Sequence, residues 1–142
     1  AFLEDKEVLI ESALQGVEVS VGTYRKNGEI VVLPITEIVS ENEFFDYEAK
    51  YEGKSDEITP ARISEEIAEA VRKEAIRIYQ VLNMNGVTRS EYILQDDIPH
   101  FIETNTTPGL SKESIIPKQV RAAGMTLTDF FGYLVESASE EK

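Results

Sequence analysis

The side chains best suited to chemistry in this chain are Arg89, Glu91, Glu103 and Asn105. Each pair is two residues apart, so on extended strands each projects from one face. Residues 87–94 and 98–105 flank the polar Gln95-Asp96-Asp97 and read as a hairpin. A three-residue loop pairs residue 89 with 103 and 87 with 105, which gathers all four side chains on one face; an even-numbered loop splits them onto opposite faces. Two carboxylates and an amide oxygen are hard ligands suited to Mg²⁺ or Mn²⁺, and Mg²⁺ keeps waters and shares phosphate oxygens with a substrate. A neighbouring Arg stabilises negative charge developing in a transition state. The same spacing also fits a solvated hairpin face with a cross-strand Arg–Glu pair.

Thr104-Asn105-Thr106-Thr107-Pro108-Gly109 is rich in short polar residues and leads through Ser111 and Ser114 into a helix. It fits either an anion site at a helix start or an ordinary turn with serine capping. His100, alone of its type and next to Pro99, reads as a structural histidine. Neither G-x-G-x-x-G nor G-x-x-x-x-G-K-[ST] occurs, so any nucleotide is held by another architecture. Lys50 and Tyr51 end an aromatic run, Phe44 to Tyr51, that either caps a site or anchors its loop to the core.

Composition bounds these options. Over 142 residues, 14 Lys+Arg oppose 27 Asp+Glu, a net charge of −13. That balance argues against a nucleic-acid or anionic-membrane surface. Zero Cys removes disulfides and thiolate sites, and one His removes a multi-histidine metal cluster. The size and apolar content suit one folded domain without a membrane span, expected in the cytoplasm.

The positioning elements follow from pattern. Val8-Leu9-Ile10-Glu11 reads as a short strand. Val17–Tyr24 alternates, and Asn27-Gly28 turns it into a second strand over Ile30–Ile35, which Pro34 ends or confines to an edge. Thr36–Thr59 reads as a long irregular loop. Ile67, Ala70, Val71, Ala75, Ile78, Tyr79 and Leu82 mark a helix closed by Asn85-Gly86. After the second hairpin come a short helix over Ser114–Ala123 and a last helix capped by Thr126 and Asp129, with Phe130, Phe131, Leu134 and Val135 as its stripe. The expected class is α+β: a mainly antiparallel sheet from two hairpins, packed against helices.

Taken together, the segments resemble the C-terminal domain of bacterial D-alanine–D-alanine ligases, members of the ATP-grasp superfamily. Phe101 to Leu110 resembles that family's E-x-N-T-x-P-G motif, and Phe44 to Tyr51 its F-x-D-Y-x-x-K-Y segment. Val8 to Glu11 with Gly16 and Glu18 is similar to V-x-x-E…G-x-E. Gly86 to Glu91 resembles G-x-x-R-x-D, and Ser114 to Pro117 with Ala123-Gly124 resembles S-L-x-P…A-G. Glu91 stands where Asp is usual, and Ile115 where Leu is.

The resemblance implies a role for each matching residue. Glu11 and Leu14 face the adenine, Glu18 the ribose, and Lys50 the γ-phosphate. Tyr51 closes over the substrates. Glu91, Glu103 and Asn105 hold Mg²⁺ or Mn²⁺ bridging the ATP phosphates. Arg89 and the Gly109 backbone stabilise a tetrahedral oxyanion, and Ser114 with Ile115 binds the carboxylate of the second D-alanine. It also implies that residues 1–142 form one domain of a longer, homodimeric enzyme whose N-terminal and central domains lie outside this chain. The alternatives are a ligase using D-lactate or D-serine as acceptor, and a non-catalytic acidic interaction module.

Overall fold

In the computed structural model, residues 6–40 and 55–139 are described. Asn27 and Gly28, with φ of +52° and +79°, form the two-residue turn that folds β1 (Val17–Lys26) onto β2 (Glu29–Val32). Pro34 ends β2, and the chain resumes as β3 (Thr36–Ser40), which pairs antiparallel with β4 (Ser55–Ile58). Both strands lie within the expected long loop; each is too short for alternation to announce it. Next come α1 (Glu65–Val81), β5 (Thr88–Gln95), β6 (Ile98–Asn105), α2 (Ile115–Ala122) and α3 (Leu127–Ser139).

The strands form one six-stranded antiparallel sheet in the order β4-β3-β1-β5-β6, with β2 also on β1. Along one flank β1 pairs β5 from Val17 to Thr23. The other flank is shared: β3 takes residues 18–20 and β2 takes residues 23–26. At the start of β1, a Cβ on Gly16 would lie 2.0 Å from the Leu94 carbonyl oxygen, so only glycine lets the two backbones close there.

Strand alternation divides the core. Val19 and Val21 of β1, with Tyr92 and Leu94 of β5, pack beneath Ala68, Val71 and Ala75 of α1. On the opposite face Tyr24 joins Leu33, Ile116, Val120 and Phe130 under α2 and α3. Ser64 caps α1 by accepting from the Ile67 N–H at 3.3 Å, and Thr126 caps α3 by accepting from the Asp129 N–H at 3.1 Å.

Three expectations shift. Residues 8–11 have no regular structure, and Leu9 and Ile10 are exposed: no described strand lies alongside to pair with them. In α3 Phe130 is fully buried, but Phe131 and Val135 face outward, because only one edge of this helix meets the sheet. Finally, α1 stops at Val81 with Leu82 as its C-cap, ahead of Asn85-Gly86, because Asn83 already takes a φ of +48°.

β3 is joined to the entry of α1 by an ion pair. Glu37 Oε2 accepts from the Arg62 backbone N–H at 3.1 Å and from Nε at 2.9 Å, while Oε1 accepts from Nη2 at 2.6 Å. These side-chain bonds hold the Glu37 carboxyl below the usual carboxylate range. The folded value lies below the unfolded one, so the stabilisation is complete above the ordinary carboxylate range and disappears as pH falls through the lowered value. Arg62→Ala should therefore destabilise the fold near neutrality. Urea unfolding midpoints of variant and native chain should converge in acid.

Candidate active site

The hairpin of β5 and β6 positions the four residues singled out above, but by a different route from the one the loop suggested. The turn has two residues, Asp96 and Asp97, with φ of +53° and +64°, so Gln95 pairs with Ile98. This even loop alone would send the two pairs to opposite faces. A β-bulge then intervenes: Tyr92 is opposite Phe101, but Glu91 is opposite Glu103, leaving Ile102 as the extra residue. Beyond the bulge Arg89 lies opposite Asn105. The pairing of 89 with 103 and 87 with 105 is thus displaced by two residues, which preserves the shared face. On the reverse face the Ser90 and Thr104 hydroxyls, 2.8 Å apart, fasten this register.

β1 extends the site. Gly22, Ser20 and Glu18 lie opposite Arg89, Glu91 and Ile93, on the same face. Glu18 therefore stands in line with Glu91 along the sheet. Glu11 and Leu14 precede β1 in the irregular segment, with Glu11 exposed and Leu14 half-buried. That segment is tied to the turn end of β5 where the Gln15 N–H donates to Gln95 Oε1 at 3.1 Å. Lys50 and Tyr51 lie outside the described residues.

The electrostatics are asymmetric. Arg89 Nη2 donates to Glu91 Oε1 at 2.8 Å, and both side chains are largely buried, 19% and 9% exposed. Arg89 Nε is buried with no hydrogen-bond partner. Glu103, directly across from Glu91, is exposed and makes no ion pair among the described residues. Like charges opposed across a strand pair repel. Asn105 Oδ1 accepts from the Thr107 N–H at 2.9 Å, which aims its amide at the turn toward Gly109. Burial pushes the Tyr92 hydroxyl up to about 12, and that ring faces α1, so it exchanges no proton on this face.

Gly109 and Ser114 come together. A Cβ on Gly109 would stand 2.8 Å from Ser114 Oγ, which instead shares a hydrogen bond with Ser111 Oγ at 2.8 Å. Ser114 is the N-cap residue of α2 yet makes no side-chain capping bond, so the N–H groups of the first turn, that of Ile115 among them, receive no cap from it. The Ile115 side chain itself is buried. Patterning passed over Lys118, whose Nζ donates to Glu57 Oε2 at 3.0 Å and fastens α2 to β4, and Gln119, whose one signal was a polar residue inside the apolar stripe of α2.

Among the described residues no group of three His, Cys, Asp or Glu side chains gathers. The candidate donor set from the sequence, Glu91, Glu103 and Asn105, has only two carboxylates on the shared face. Two opposed carboxylates, one already bonded to Arg89 and the other without an ion-pair partner, together with an amide oxygen, suit a hard divalent cation that keeps some waters.

The chain matches the sequence model of the family described as D-ala D-ala ligase C-terminus over residues 1–136. It is 59% identical over 136 residues to a D-alanine--D-alanine ligase of Flavobacterium johnsoniae, covering 96% of this chain and 42% of the relative. It is 55% identical over 142 residues to one of Christiangramia forsetii, covering 100% and 44%. The chain therefore spans less than half the length of these relatives. Among solved structures it is similar to D-alanine--D-Alanine Ligase from Bacillus anthracis complexed with ATP (TM-score 0.74, 30% identity, 92% of this chain and 42% of that one). It is also similar to VanG D-Ala:D-Ser Ligase from Enterococcus faecalis (TM-score 0.74, 27% identity, 87% and 36%).

The opposed carboxylates make a prediction. Glu103→Gln should stabilise the chain in chelator-treated buffer by about 0.5 kcal/mol, because it removes the charge facing Glu91. In an NMR titration with Mn²⁺, selective broadening around residues 91, 103 and 105 should appear in the native chain and be lost in the variant.

Proposed function

Because this chain belongs to the D-alanine–D-alanine ligase C-terminal family, we propose that it is the C-terminal domain of an ATP-dependent ligase that joins two D-alanines for peptidoglycan precursors. The observation that carries this reading is the β5–β6 register. It puts a buried guanidinium, two carboxylates and an amide oxygen on one face, with Glu18 in the same line. The rows at Glu18 and Gly22 are four residues apart, roughly 13 Å of strand, which suits an extended triphosphate running from ribose to reaction centre.

In the reaction, the γ-phosphoryl group of ATP passes to the carboxylate of one D-alanine, giving an acyl phosphate and ADP. The amine of the second D-alanine attacks the acyl carbon. A tetrahedral oxyanion forms, then collapses as phosphate leaves, the amine loses a proton and the amide bond remains. Arg89 and the Gly109 N–H stabilise that oxyanion. The Ser114 hydroxyl and the Ile115 N–H hold the acceptor carboxylate at the start of α2, where the helix dipole favours an anion. Glu11 and Leu14 bind the adenine and Glu18 the ribose; Lys50 and Tyr51 act on the γ-phosphate and over the substrates. Glu91, Glu103 and Asn105 are the side chains that would hold Mg²⁺, whose charge neutralises the phosphates.

Further parts of the longer enzyme supply what this domain lacks. With a net charge of −13, this face needs cationic groups from elsewhere to receive a triphosphate. No described helix is long and apolar enough to cross a membrane. The reading includes a cytoplasmic bacterial enzyme acting as a homodimer, and this domain alone is inactive.

A second acceptor is favoured by one observation: the similarity to a structure named as a D-Ala:D-Ser ligase. Purified full-length enzyme offered D-alanine, D-lactate and D-serine in parallel should form D-alanyl-D-alanine fastest, with one ADP released per dipeptide. Arg89→Met should lower kcat by about a hundredfold or more. Faster use of D-serine or D-lactate, or an unchanged Arg89→Met rate, would overturn the reading.

A further inference from the structure

Gln119 is the only polar side chain among the buried residues of α2, and it is fully enclosed. All its polar atoms are engaged. Its Oε1 accepts from the Gly22 N–H at 2.9 Å, and its Nε2 donates to the Ser20 carbonyl at 2.9 Å and to Thr36 Oγ1 at 3.0 Å. Thr36 Oγ1 in turn shares a hydrogen bond with Thr59 Oγ1 at 2.6 Å.

The place of these bonds explains them. On this flank of β1, β3 reaches only to Ser20 opposite Thr36, and β2 begins only at Thr23 opposite Val32. Between them the Leu33 N–H reaches the Gly22 carbonyl at 2.8 Å, but Pro34 has no N–H to give. The Gly22 N–H and the Ser20 carbonyl fall in the break, and the amide of Gln119 replaces the missing ladder. The fit is close: a Cβ on Gly22 would stand 2.5 Å from Ile116 Cδ1 and 2.8 Å from Gln119 Oε1.

Across the sheet, Gly22 is paired with Arg89 and Ser20 with Glu91. Gln119 therefore grips the two β1 residues that back the guanidinium and the buried carboxylate. It sits on the helix whose first turn carries Ser114 and Ile115. One side chain thus ties the helix that starts at Ser114 and Ile115 to the strand residues paired with Arg89 and Glu91.

We propose that Gln119 is a positioning residue of the ligase, fixing the distance between the acceptor-carboxylate end of α2 and the Arg89–Glu91 pair. This rests on the ligase reading above. Gln119 touches no substrate; it acts through the placement of Ser114 and Ile115, and so on the attack of the acceptor amine rather than on ATP binding. A displacement of about 1 Å between reacting groups is enough to cost on the order of a hundredfold in rate.

Gln119→Met in the full-length ligase keeps the volume of the side chain and removes its hydrogen bonds. Assayed well below its unfolding temperature, the variant should show KM for the acceptor D-alanine raised on the order of tenfold and kcat lowered. KM for ATP should stay within about twofold of the native value. A variant with a lower Tm but native acceptor KM and kcat would overturn the proposal, because that is what a purely structural role gives. Should Gln119→Met fail to fold, Thr36→Val removes one of the bonds and keeps the shape. It should raise the acceptor KM severalfold with ATP KM unmoved, and a native acceptor KM in that folded variant overturns the proposal equally. Native enzyme that forms no D-alanyl-D-alanine from ATP would instead bring down the ligase reading itself.

Discussion

A β-strand turns over at every residue, so a carboxylate belongs to a site or to the opposite surface according to whether the number of residues separating it from its partners is odd or even. In this chain that parity depends on Ile102. The two-residue turn at Asp96-Asp97 sets a pairing that would face Glu103 and Asn105 away from Arg89 and Glu91, and the bulge at Ile102 reverses it. The bond between Ser90 and Thr104 then holds the corrected register from the back of the sheet. The gathering of Glu103 and Asn105 with Arg89 and Glu91 depends on this one offset. With Ile102 paired in the ladder, Glu103 and Asn105 would lie on the opposite side of the sheet from Arg89 and Glu91.

Charge supplies the second constraint. Glu91 and Glu103 oppose each other within a domain that already carries thirteen excess negative charges. Arg89 satisfies Glu91 on one side only, and Glu103 keeps no counter-ion among the described residues. On the proposed reading, such a face would be stabilised by a divalent cation between the carboxylates and by cationic groups from other parts of a longer protein that balance a triphosphate. The ion pairs elsewhere, such as Glu37 with Arg62 and Glu57 with Lys118, are internally complete and fasten elements together. The site differs from them in being left electrostatically open.

The third element is the seating of α2. Short helices make few packing contacts, and this one has eight residues. It is held by apolar packing of Ile116 and Val120, by Lys118 on β4, and by Gln119 in the gap that Pro34 opens beside β1. The break in the β2–β3 flank is therefore a socket for a side-chain amide. That socket holds Gly22 and Ser20, the β1 residues paired with Arg89 and Glu91, so the side chain that seats the helix also fastens the strand beside them.

Much of this was legible in the residues alone. The Asn27-Gly28 turn, the amphipathic α1, the Thr126–Asp129 cap and the five motifs depend on chemistry within a few residues, where type and spacing suffice. The candidate site residues were singled out on the same local grounds. What the sequence could not determine was non-local: that Thr36–Ser40 and Ser55–Ile58 find each other as strands, that Val8–Glu11 finds no partner, that Ile102 leaves the ladder, and that Gln119 fills a gap 97 residues away at Gly22. Each depends on which backbone groups remain unpaired once the sheet has closed. That is a property of the assembled fold, because an unsatisfied buried N–H or C=O exists only after its neighbours have excluded water.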